Sequence, residues 1–406
     1  MRHPIVVGMQ YGDEGKGKIT DVLARQTEWV IRFNGGNNAG HTLWLNGKKL
    51  VTHSVPSGVR YSHAKNFIGA GCVIDPLALT KEIDELKGAG VSLTPENFKI
   101  DYRAHVTLPL HVALDAAREG GSHGLGTTKR GIGPTYSSKT DRIGIRVGDI
   151  VEGKAFDKVR FLCQNYNSYL KALGSQESSE SQNLAAVESA LETFRSFVSR
   201  DPHPFYEIAK KTKCVLEGAQ GILLDIDHGS YPFVTSSSTL PAFAAVGAPF
   251  PLTGLGAVIG VCKAYVTRVG LGPFDTELKN DVGERIRKTG AEFGATTGRP
   301  RRIGWLNLDE LRQAVKISDC THLVLTKGDV LNGEKKLGLH MNGKLEMVDG
   351  WSECVEKQGS QNLSPAFDKY IQIIEKFIGI PVVAAGTGTD REDLVWRNFK
   401  AEQFWS

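Results

Sequence analysis

The stretch Gly8–Lys18, with the sequence GMQYGDEGKGK, decides the fold of the chain around it. It follows a short apolar run, Pro4–Val7, and precedes a stretch with helical character, Ile19–Arg25. A strand, a glycine-rich turn and a helix in this order point backbone N–H groups and a helix N-terminus at one place, which suits a bound phosphate. The order therefore predicts an α/β protein with a phosphate-loop-like first turn.

This turn departs from the usual phosphate loop in two ways. Residues Gly12–Lys18 have the expected spacing, but Ile19 stands where a Ser or Thr would hold magnesium. Asp13 and Glu14 also place two carboxylates in the loop, where they would repel a phosphate. Either the match is accidental and the turn is only a tight strand-to-helix connection, or one of these acids holds a metal or moves a proton.

Composition indicates an ordinary soluble globular protein. The 406 residues are 40% hydrophobic and 23% charged, and the net charge of +4 does not suggest bulk nucleic-acid binding. The six cysteines are far apart and form no Cys-x-x-Cys pair, which favours reduced thiols in a cytoplasmic protein. The uncharged stretch Gly229–Cys262 carries four prolines, which argue against a membrane-spanning helix. We therefore expect no nucleic-acid or membrane partner.

Apolar runs alternate with helical patterns along most of the chain. The strand-like runs are Ile5–Val7, Trp29–Phe33, Phe67–Ala70, Val215–Leu216, Val258–Val261, Leu323–Leu325 and Pro381–Ala384. The helical patterns are Leu77–Leu86, Leu110–Arg118, Leu308–Ile317 and Phe367–Phe377, with two amphipathic stretches, Phe156–Leu173 and Leu184–Val198, joined by a polar linker over 174–182. This alternation predicts a large, mostly parallel central sheet flanked by helices. We expect one domain over residues 1–406, with a helical elaboration at about 154–200.

Two further glycine-rich segments are candidate ligand loops. Asn34–Thr42 follows a strand-like run, and its His41 is the only group in it that titrates near neutrality. Gly124–Pro134 combines glycines and hydroxyls with cations and suits a phosphorylated ligand. The structural alternatives are a polar loop with a capping histidine and a basic, solvated loop.

Two later segments are polar in different ways. Glu217–Gly221 and Leu224–Ser238 place hydrogen-bonding groups in an otherwise uncharged region, which suggests a neutral wall for a base or sugar, or else a rigid structural loop. Gly294–Arg302 gathers three arginines beside two threonines. Arginine binds carboxylate or phosphate with two parallel hydrogen bonds, and flanking glycines would let such a loop close as a lid.

The segment Thr326–Asp329 resembles the guanine-reading Asn-Lys-x-Asp element of GTPases. An ionised aspartate accepts hydrogen bonds from the guanine N1–H and exocyclic amine together, a pair that adenine does not offer. Combined with the first turn, this element favours GTP over ATP.

Taken together, these segments resemble those of the adenylosuccinate synthetase family, in the family's order along nearly the whole chain. The segments that carry the resemblance are Gln10–Lys18, Asn38–Thr42, Arg130–Pro134, Glu217–Gly221, Asp225–Gly229, Arg268–Gly270 with Gly272–Phe274, Thr296–Arg302, Thr326–Asp329 and Gly386–Gly388. The resemblance implies a GTP-dependent carbon–nitrogen ligase on the route from IMP to AMP. It implies that L-aspartate is joined to IMP through a 6-phosphoryl-IMP intermediate, giving adenylosuccinate, GDP and phosphate.

The resemblance also implies a role for individual residues. Asp13 takes the N1 proton of IMP while O6 attacks the γ-phosphate of GTP, and His41 acts as a general acid. One Mg²⁺ per site is implied at Asp13 and the Gly40 carbonyl. The implied GTP contacts are Gly12, Asp13, Glu14, Gly15, Lys16, Gly17, Lys18, Gly40, His41, Thr42, Arg301, Lys327, Gly328, Asp329, Gly386, Thr387 and Gly388. The implied IMP contacts are Asp13, Lys16, Asn38, Ala39, Gly40, His41, Thr128, Gln220, Thr235, Arg299 and, from the other subunit, Arg142. The implied L-aspartate contacts are Ala295, Thr296, Thr297, Gly298, Arg299 and Arg301.

A homodimer is expected on the same basis, because Arg142 matches the arginine that reaches the IMP phosphate of the neighbouring subunit. Three residues depart from the family's pattern: Tyr11 stands in place of Trp, Lys129 in a position often held by Gly, and Gly328 in place of a bulkier apolar residue. None of them removes a residue to which the resemblance assigns chemistry.

Two other classes of protein fit the sequence less well. A regulatory GTPase would use the first turn and Thr326–Asp329, but it would leave His41 and the arginine loop without a role. A catalytically inactive interaction protein on the same scaffold would be expected to lack Asp13, His41 or the arginines, and all of them are present.

Overall fold

A computed structural model describes residues 1–45, 48–121, 124–294, 298–357 and 360–405. Its strands, in chain order β1 to β19, are His3–Gly8, Trp29–Arg32, His41–Leu45, Lys48–Thr52, Lys65–Ile68, Val73–Ile74, Phe98–Asp101, His105–Val106, Val198–Ser199, Cys214–Glu217, Leu255–Lys263, Val266–Arg268, Arg302–Gly304, Leu306–Asn307, His322–Thr326, Lys336–Met341, Lys344–Asp349, Val382–Gly386 and Leu394–Trp396.

The helices flank these strands. In chain order α1 to α12 they are Lys16–Ala24, Pro76–Gly88, Pro109–Glu119, Ile132–Thr140, Val147–Val151, Ala155–Ala172, Glu180–Phe197, Ile208–Lys211, Phe243–Gly247, Asp281–Thr289, Leu308–Ser318 and Pro365–Ile378. Across the described ranges, none of these helices combines the length and the apolar character that crossing a membrane requires.

The predicted large, mostly parallel sheet is confirmed. Ten strands lie in the order β19–β18–β15–β11–β1–β10–β2–β5–β7–β9. Strand β1 lies near the middle and pairs in parallel with β10 (Ile5 opposite Leu216) and with β11 (Val7 opposite Gly260). Among the described residues, β18 and β19 form the only antiparallel pair of this sheet. The central strands are apolar runs without alternation because helices cover both faces of a parallel sheet.

The polar linker predicted over 174–182 is shorter in the structure. Helix α7 begins at Glu180, where Ser179 caps it by accepting a hydrogen bond from the backbone N–H of Gln182 at 3.4 Å. A serine cap followed by an acidic first turn starts a helix regardless of how polar the segment is, because both groups stabilise the exposed N–H groups. The C-terminal end of this helix also differs from the predicted stretch Leu184–Val198, because Val198 belongs to the short strand β9 and not to α7.

The sheet positions the ligand loops by bringing several strand ends to one edge. Strands β1, β2, β10, β11, β15 and β18 run in parallel and end at Gly8, Arg32, Glu217, Lys263, Thr326 and Gly386. Four of the loops that the sequence singles out begin at these ends. Ligands of open α/β sheets bind outside the carboxyl ends of the strands, so this edge is the place to look for a site.

Candidate active site

The two acids of the first turn have different surroundings, which resolves the apparent conflict with phosphate. The Glu14 carboxylate is fully buried, and it accepts hydrogen bonds from the backbone N–H of Gly12 at 2.8 Å and from Lys16 Nζ at 2.6 Å. It lies against Gly8 and Gly221, where any side chain would overlap it. Glu14 therefore stabilises the loop from its buried side, and the Lys16 ammonium offsets the charge of the carboxylate.

Asp13 lies in the same turn but remains partly accessible. Its backbone is left-handed, with φ of +60°, and its Oδ2 lies 2.9 Å from Nη2 of the buried Arg301. A non-glycine residue in this conformation costs free energy and is typical of a functional position. The sequence-predicted base and the arginine of the predicted aspartate loop are thus in contact.

His41 begins β3 and lies beside the first turn of α1. Its Cβ is so close to Gly17 that a side chain at Gly17 would come within 2.8 Å of it. His41 Nδ1 lies 2.5 Å from Oε1 of Glu217, which ends β10. Glu217 also accepts from the backbone N–H of Ser57 at 2.9 Å and from its hydroxyl at 2.5 Å. The carboxylate therefore fixes the ring with the Nδ1–H toward Glu217.

The charge state of this pair follows from its surroundings. Burial lowers the pKa of His41, and Glu217 acts in the opposite direction by favouring the protonated ring. Burial alone would raise the pKa of Glu217, but His41, Arg32 and Ser57 together lower it to about 2. Glu217 is therefore ionised at neutral pH, and its negative charge stabilises the protonated form of His41 at this buried position.

Gln220 and Asn38, both predicted to bind IMP, meet at the edge of the sheet. Gln220 Nε2 donates to Asn38 Oδ1 at 3.1 Å, and the Gln220 backbone faces Gly12. The Gln220 Oε1 atom is buried and has no hydrogen-bond partner among the described residues. A buried amide oxygen without a partner costs free energy, so it is a natural acceptor for a ligand N–H.

The loop that contains Thr128 is anchored by two carboxylates of α3. Asp115 accepts from the Thr127 hydroxyl and from the backbone N–H of Gly131, both at 2.9 Å, and Glu119 accepts from the backbone N–H groups of Leu125 and Gly126. The loop meets the neutral wall where Gly133 approaches Ser236, the residue after Thr235. Arg142 is exposed and lies just after the end of α4.

The segment Thr326–Asp329, the predicted guanine reader, lies beside the first turn. Thr326 Oγ1 donates to the Glu14 carbonyl at 2.6 Å, and the Gly328 N–H donates to the Gly386 carbonyl at 3.0 Å. Lys18 Nζ donates to the carbonyls of Gly388 and Asp393 at 2.9 and 3.0 Å. Phosphate-side and guanine-side residues are therefore linked directly.

Ionisation of the groups in this region follows from burial. Burial lowers the pKa of Lys18 to about 8. It also raises the pKa of Asp329, against the opposing effects of Lys18 and Lys327. The two cations thus favour the ionised aspartate that reading guanine requires.

Gly328 has no side chain because Phe367 of α12 fills that space. A Cβ at Gly328 would overlap the Phe367 ring, although the Gly328 backbone (φ −62°) suits any residue. Phe367 is fully buried against Trp351, whose Nε1 donates to the Gly328 carbonyl at 3.1 Å. The Phe367 ring thus occupies the space that a side chain at Gly328 would take.

Gly328→Ala is expected to destabilise the fold by about 1–3 kcal/mol, because the added methyl overpacks a buried aromatic contact. Adding Phe367→Leu in the same chain should restore part of the loss. The measurement is the free energy of unfolding in urea. Gly88→Ala in α2 is the control, since a Cβ at Gly88 meets nothing within 4 Å. A Gly328→Ala protein as stable as the wild type would contradict this packing.

The predicted aspartate loop is described at its two ends only. Ala295, Thr296 and Thr297 lie outside the described residues. The Gly298 N–H donates to the Gly294 carbonyl, and the Gly294 N–H donates to the Arg299 carbonyl, both at 2.8 Å. Arg299 is exposed, whereas Arg301 is buried between Asp13 and Glu292. The arginine that follows the turn therefore already faces the first turn of the chain.

The two predicted magnesium ligands are both oxygen donors. Asp13 offers a carboxylate and Gly40 a backbone carbonyl, and these are the hard donors that Mg²⁺ takes from proteins together with substrate phosphates and waters. Among the described residues there is no cluster of three or more His, Cys, Asp or Glu side chains that could hold a metal. The chemistry of these two donors is thus compatible with Mg²⁺.

Several residues with a clear structural role were given no individual role from the sequence. Glu217, Glu292, Asp115 and Glu119 each hold a predicted site residue or loop in place. Glu217 begins the segment Glu217–Gly221, which the sequence singles out, but nothing in the segment assigned a role to this carboxylate. Glu292 lies in no segment that the sequence singles out, and its three cationic partners come from separate segments of the chain.

Comparison with known proteins gives consistent matches. The family model described as adenylosuccinate synthetase matches residues 5–342. The adenylosuccinate synthetase of Caldanaerobacter subterraneus subsp. tengcongensis is 42% identical, over 97% of this chain and 99% of that protein. That of Clostridium perfringens is 41% identical, over 96% and 98%.

Two solved structures are also similar. The fully ligated adenylosuccinate synthetase from Plasmodium falciparum superposes with a TM-score of 0.89 at 34% identity, over 98% of this chain and all of that one. A cyanophage S-2L succinoaminodeoxyadenylate synthetase bound to dGMP and dATP gives a TM-score of 0.68 at 18% identity, over 100% and 98%. The second likeness shows the fold alone.

Proposed function

This chain belongs to the adenylosuccinate synthetase family, and we propose that it joins L-aspartate to IMP at the expense of GTP, through 6-phosphoryl-IMP. The products are adenylosuccinate, GDP and phosphate. The proposal rests on one observation: Asp13, Arg301, His41 and Gln220 lie together at the edge of the sheet where the parallel strands end, next to the segment Thr326–Asp329. We further propose that the enzyme is cytoplasmic and acts as a single domain.

The first chemical step requires a base at N1 of IMP. The hypoxanthine O6 becomes a leaving group only after it is phosphorylated, and loss of the N1 proton makes O6 nucleophilic. We assign this proton to Asp13, and we assign Gln220, whose Oε1 is buried without a hydrogen-bond partner among the described residues, to the binding of IMP. Arg301, 2.9 Å from Asp13, supplies positive charge where negative charge develops.

His41 assists the phosphoryl transfer. With Nδ1–H directed at Glu217, the ring donates from Nε2 only as an imidazolium, and Glu217 stabilises that form. A cation placed at the transferring phosphoryl group stabilises its developing charge. In the second step the amine of L-aspartate displaces phosphate from C6, so that the C6–O6 bond breaks and a C6–N bond forms.

The remaining contacts are assigned as the sequence predicts. GTP phosphates are expected on the backbone of Gly12–Lys18, guanine at Lys327 and Asp329, and the L-aspartate carboxylates at Arg299 and Arg301. Mg²⁺, bound at Asp13 and the Gly40 carbonyl, would neutralise phosphate charge. The neutral Asn38–Gln220 pair suits the base of IMP, and Thr128 suits its phosphate.

An omission assay tests this function. GTP, Mg²⁺, IMP and L-aspartate are mixed with the protein, and adenylosuccinate absorbance is followed with each component left out in turn. Product is expected only in the complete mixture. GTP hydrolysis that is independent of IMP and yields no adenylosuccinate would point instead to a regulatory GTPase.

The Arg142→Leu variant is expected to regain activity when it is mixed with the Asp13→Asn variant. A mixed dimer with one subunit of each variant contains one intact site, with Asp13 from the first subunit and Arg142 from the second. Arg142 lies exposed after α4, where it is accessible to another subunit. The measurement is the specific activity of the mixture against that of each variant alone. Absence of recovery, once subunit exchange has been demonstrated, would count against a site shared between subunits.

A further inference from the structure

Glu292 is a buried carboxylate that contacts four polar groups at once. Its oxygens lie 2.5 Å from Arg301 Nη1, 3.1 Å from Lys327 Nζ, 3.3 Å from Lys263 Nζ and 2.5 Å from the Tyr265 hydroxyl. The side chain of Glu292 is fully buried. Three cations therefore converge on one anion.

These contacts keep Glu292 charged. Burial alone would raise its pKa, but Lys263, Lys327 and Arg301 lower it well below the usual range of a glutamate. Removing the charge would leave three cations close together without a central anion, which is strongly unfavourable in a buried place. Lys327 is partly exposed and has room to move away.

Two of these cations belong to different parts of the proposed site. Lys327 is the lysine of the guanine reader, and its ammonium also donates to the Gly290 carbonyl at 2.8 Å. Arg301 uses Nη1 for Glu292 and Nη2 for Asp13, and its backbone N–H donates to the Glu292 carbonyl at 3.0 Å. One carboxylate thus fixes the direction of both side chains.

We propose that Glu292 is a positioning residue shared by two substrates, which orients Lys327 for the guanine of GTP and Arg301 for L-aspartate. This inference rests on the proposed function, because it takes the two substrates from it. Glu292 itself touches neither substrate, and it acts only through the two cations.

Glu292→Gln tests the inference by removing the charge while keeping the shape. The KM values for GTP and for L-aspartate are each expected to rise about tenfold or more, the effect of losing a charged hydrogen-bond partner. The KM for IMP should change by less than about twofold, because Glu292 contacts no side chain assigned to IMP alone. A role limited to stabilising the fold would not separate IMP from the other two substrates.

Glu277→Gln is the matched control. Glu277 binds Arg302, the neighbour of Arg301, through two hydrogen bonds of 2.7 Å, but it contacts no residue assigned to a substrate. All three KM values of Glu277→Gln should stay near those of the wild type.

Glu292→Asp serves as a second variant that keeps the negative charge. Its KM values for GTP and L-aspartate should lie between those of the wild type and Glu292→Gln, and it carries the test if the Gln variant does not fold. An active wild type with unchanged KM values for GTP and L-aspartate in the variants would overturn the inference and leave the proposed function standing. A wild type that makes no adenylosuccinate would overturn both.

Discussion

Asp13→Asn is expected to abolish turnover, with kcat lower by about 10³-fold or more, because the amide can neither accept the N1 proton nor balance the charge of Arg301. The substitution keeps the size of the side chain. It removes an ion pair whose carboxylate is partly exposed, and the buried Arg301 keeps its second partner Glu292, so the free energy of unfolding should change by only about 1 kcal/mol. The loss should therefore lie in chemistry and not in folding.

The measurement combines kcat from adenylosuccinate formation with urea unfolding and with GTP binding by calorimetry. Asp157→Asn is the control, since Asp157 is an exposed carboxylate on α6 that pairs with Arg160 at 2.8 Å. Asp157→Asn should keep full activity. Substantial residual turnover in Asp13→Asn would refute its role as the base.

Replacing either member of the His41–Glu217 pair is the second change expected to have a large effect. His41→Asn should lower kcat by about 10²–10⁴-fold, the usual contribution of a general acid.

Glu217→Gln keeps the ring of His41 in place but loses the charge that favours the imidazolium, so the pKa of His41 falls further below its usual value. Activity that depends on the imidazolium should then appear only at lower pH than in the wild type.

The pH dependence of kcat is the decisive readout for this pair. The wild type should gain activity as pH falls toward the pKa of His41, and Glu217→Gln should need a lower pH for the same gain. Glu82→Gln is the control, since Glu82 is also buried and accepts three backbone N–H groups, from His53, Ser54 and Val55. A profile of Glu217→Gln that overlays the wild type would show that Glu217 has only a structural role.

Periodicity predicted the sheet well because its central strands contain uninterrupted apolar residues. All seven predicted strand-like runs contribute strands to the ten-stranded sheet. The strands that were missed include β7, whose four residues contain a lysine, and β9, which is two residues long. Such short segments become strands only through pairing, as Ile100 of β7 does with Val198 of β9, and that pairing is not written in local sequence.

Sequence motifs were sufficient to predict the candidate site residues, but not the buried residues that hold them in place. Asp13, His41 and Lys327 stand in recognisable segments, and their roles remain predictions. The inward position of Glu14 depends on the absence of side chains at Gly8 and at Gly221, and Gly221 is distant from Glu14 in the sequence. Glu292 likewise gains its significance only when the fold brings Lys263, Arg301 and Lys327 around it.

The most direct test of phosphoryl transfer to the base follows one oxygen atom. IMP labelled with ¹⁸O at O6 is incubated with GTP, Mg²⁺, L-aspartate and the protein, and the inorganic phosphate formed is analysed by mass spectrometry. If O6 attacks the γ-phosphate and later leaves with it, each adenylosuccinate formed should be matched by one phosphate carrying ¹⁸O. Phosphate without the label, alongside adenylosuccinate or GDP, would contradict this account.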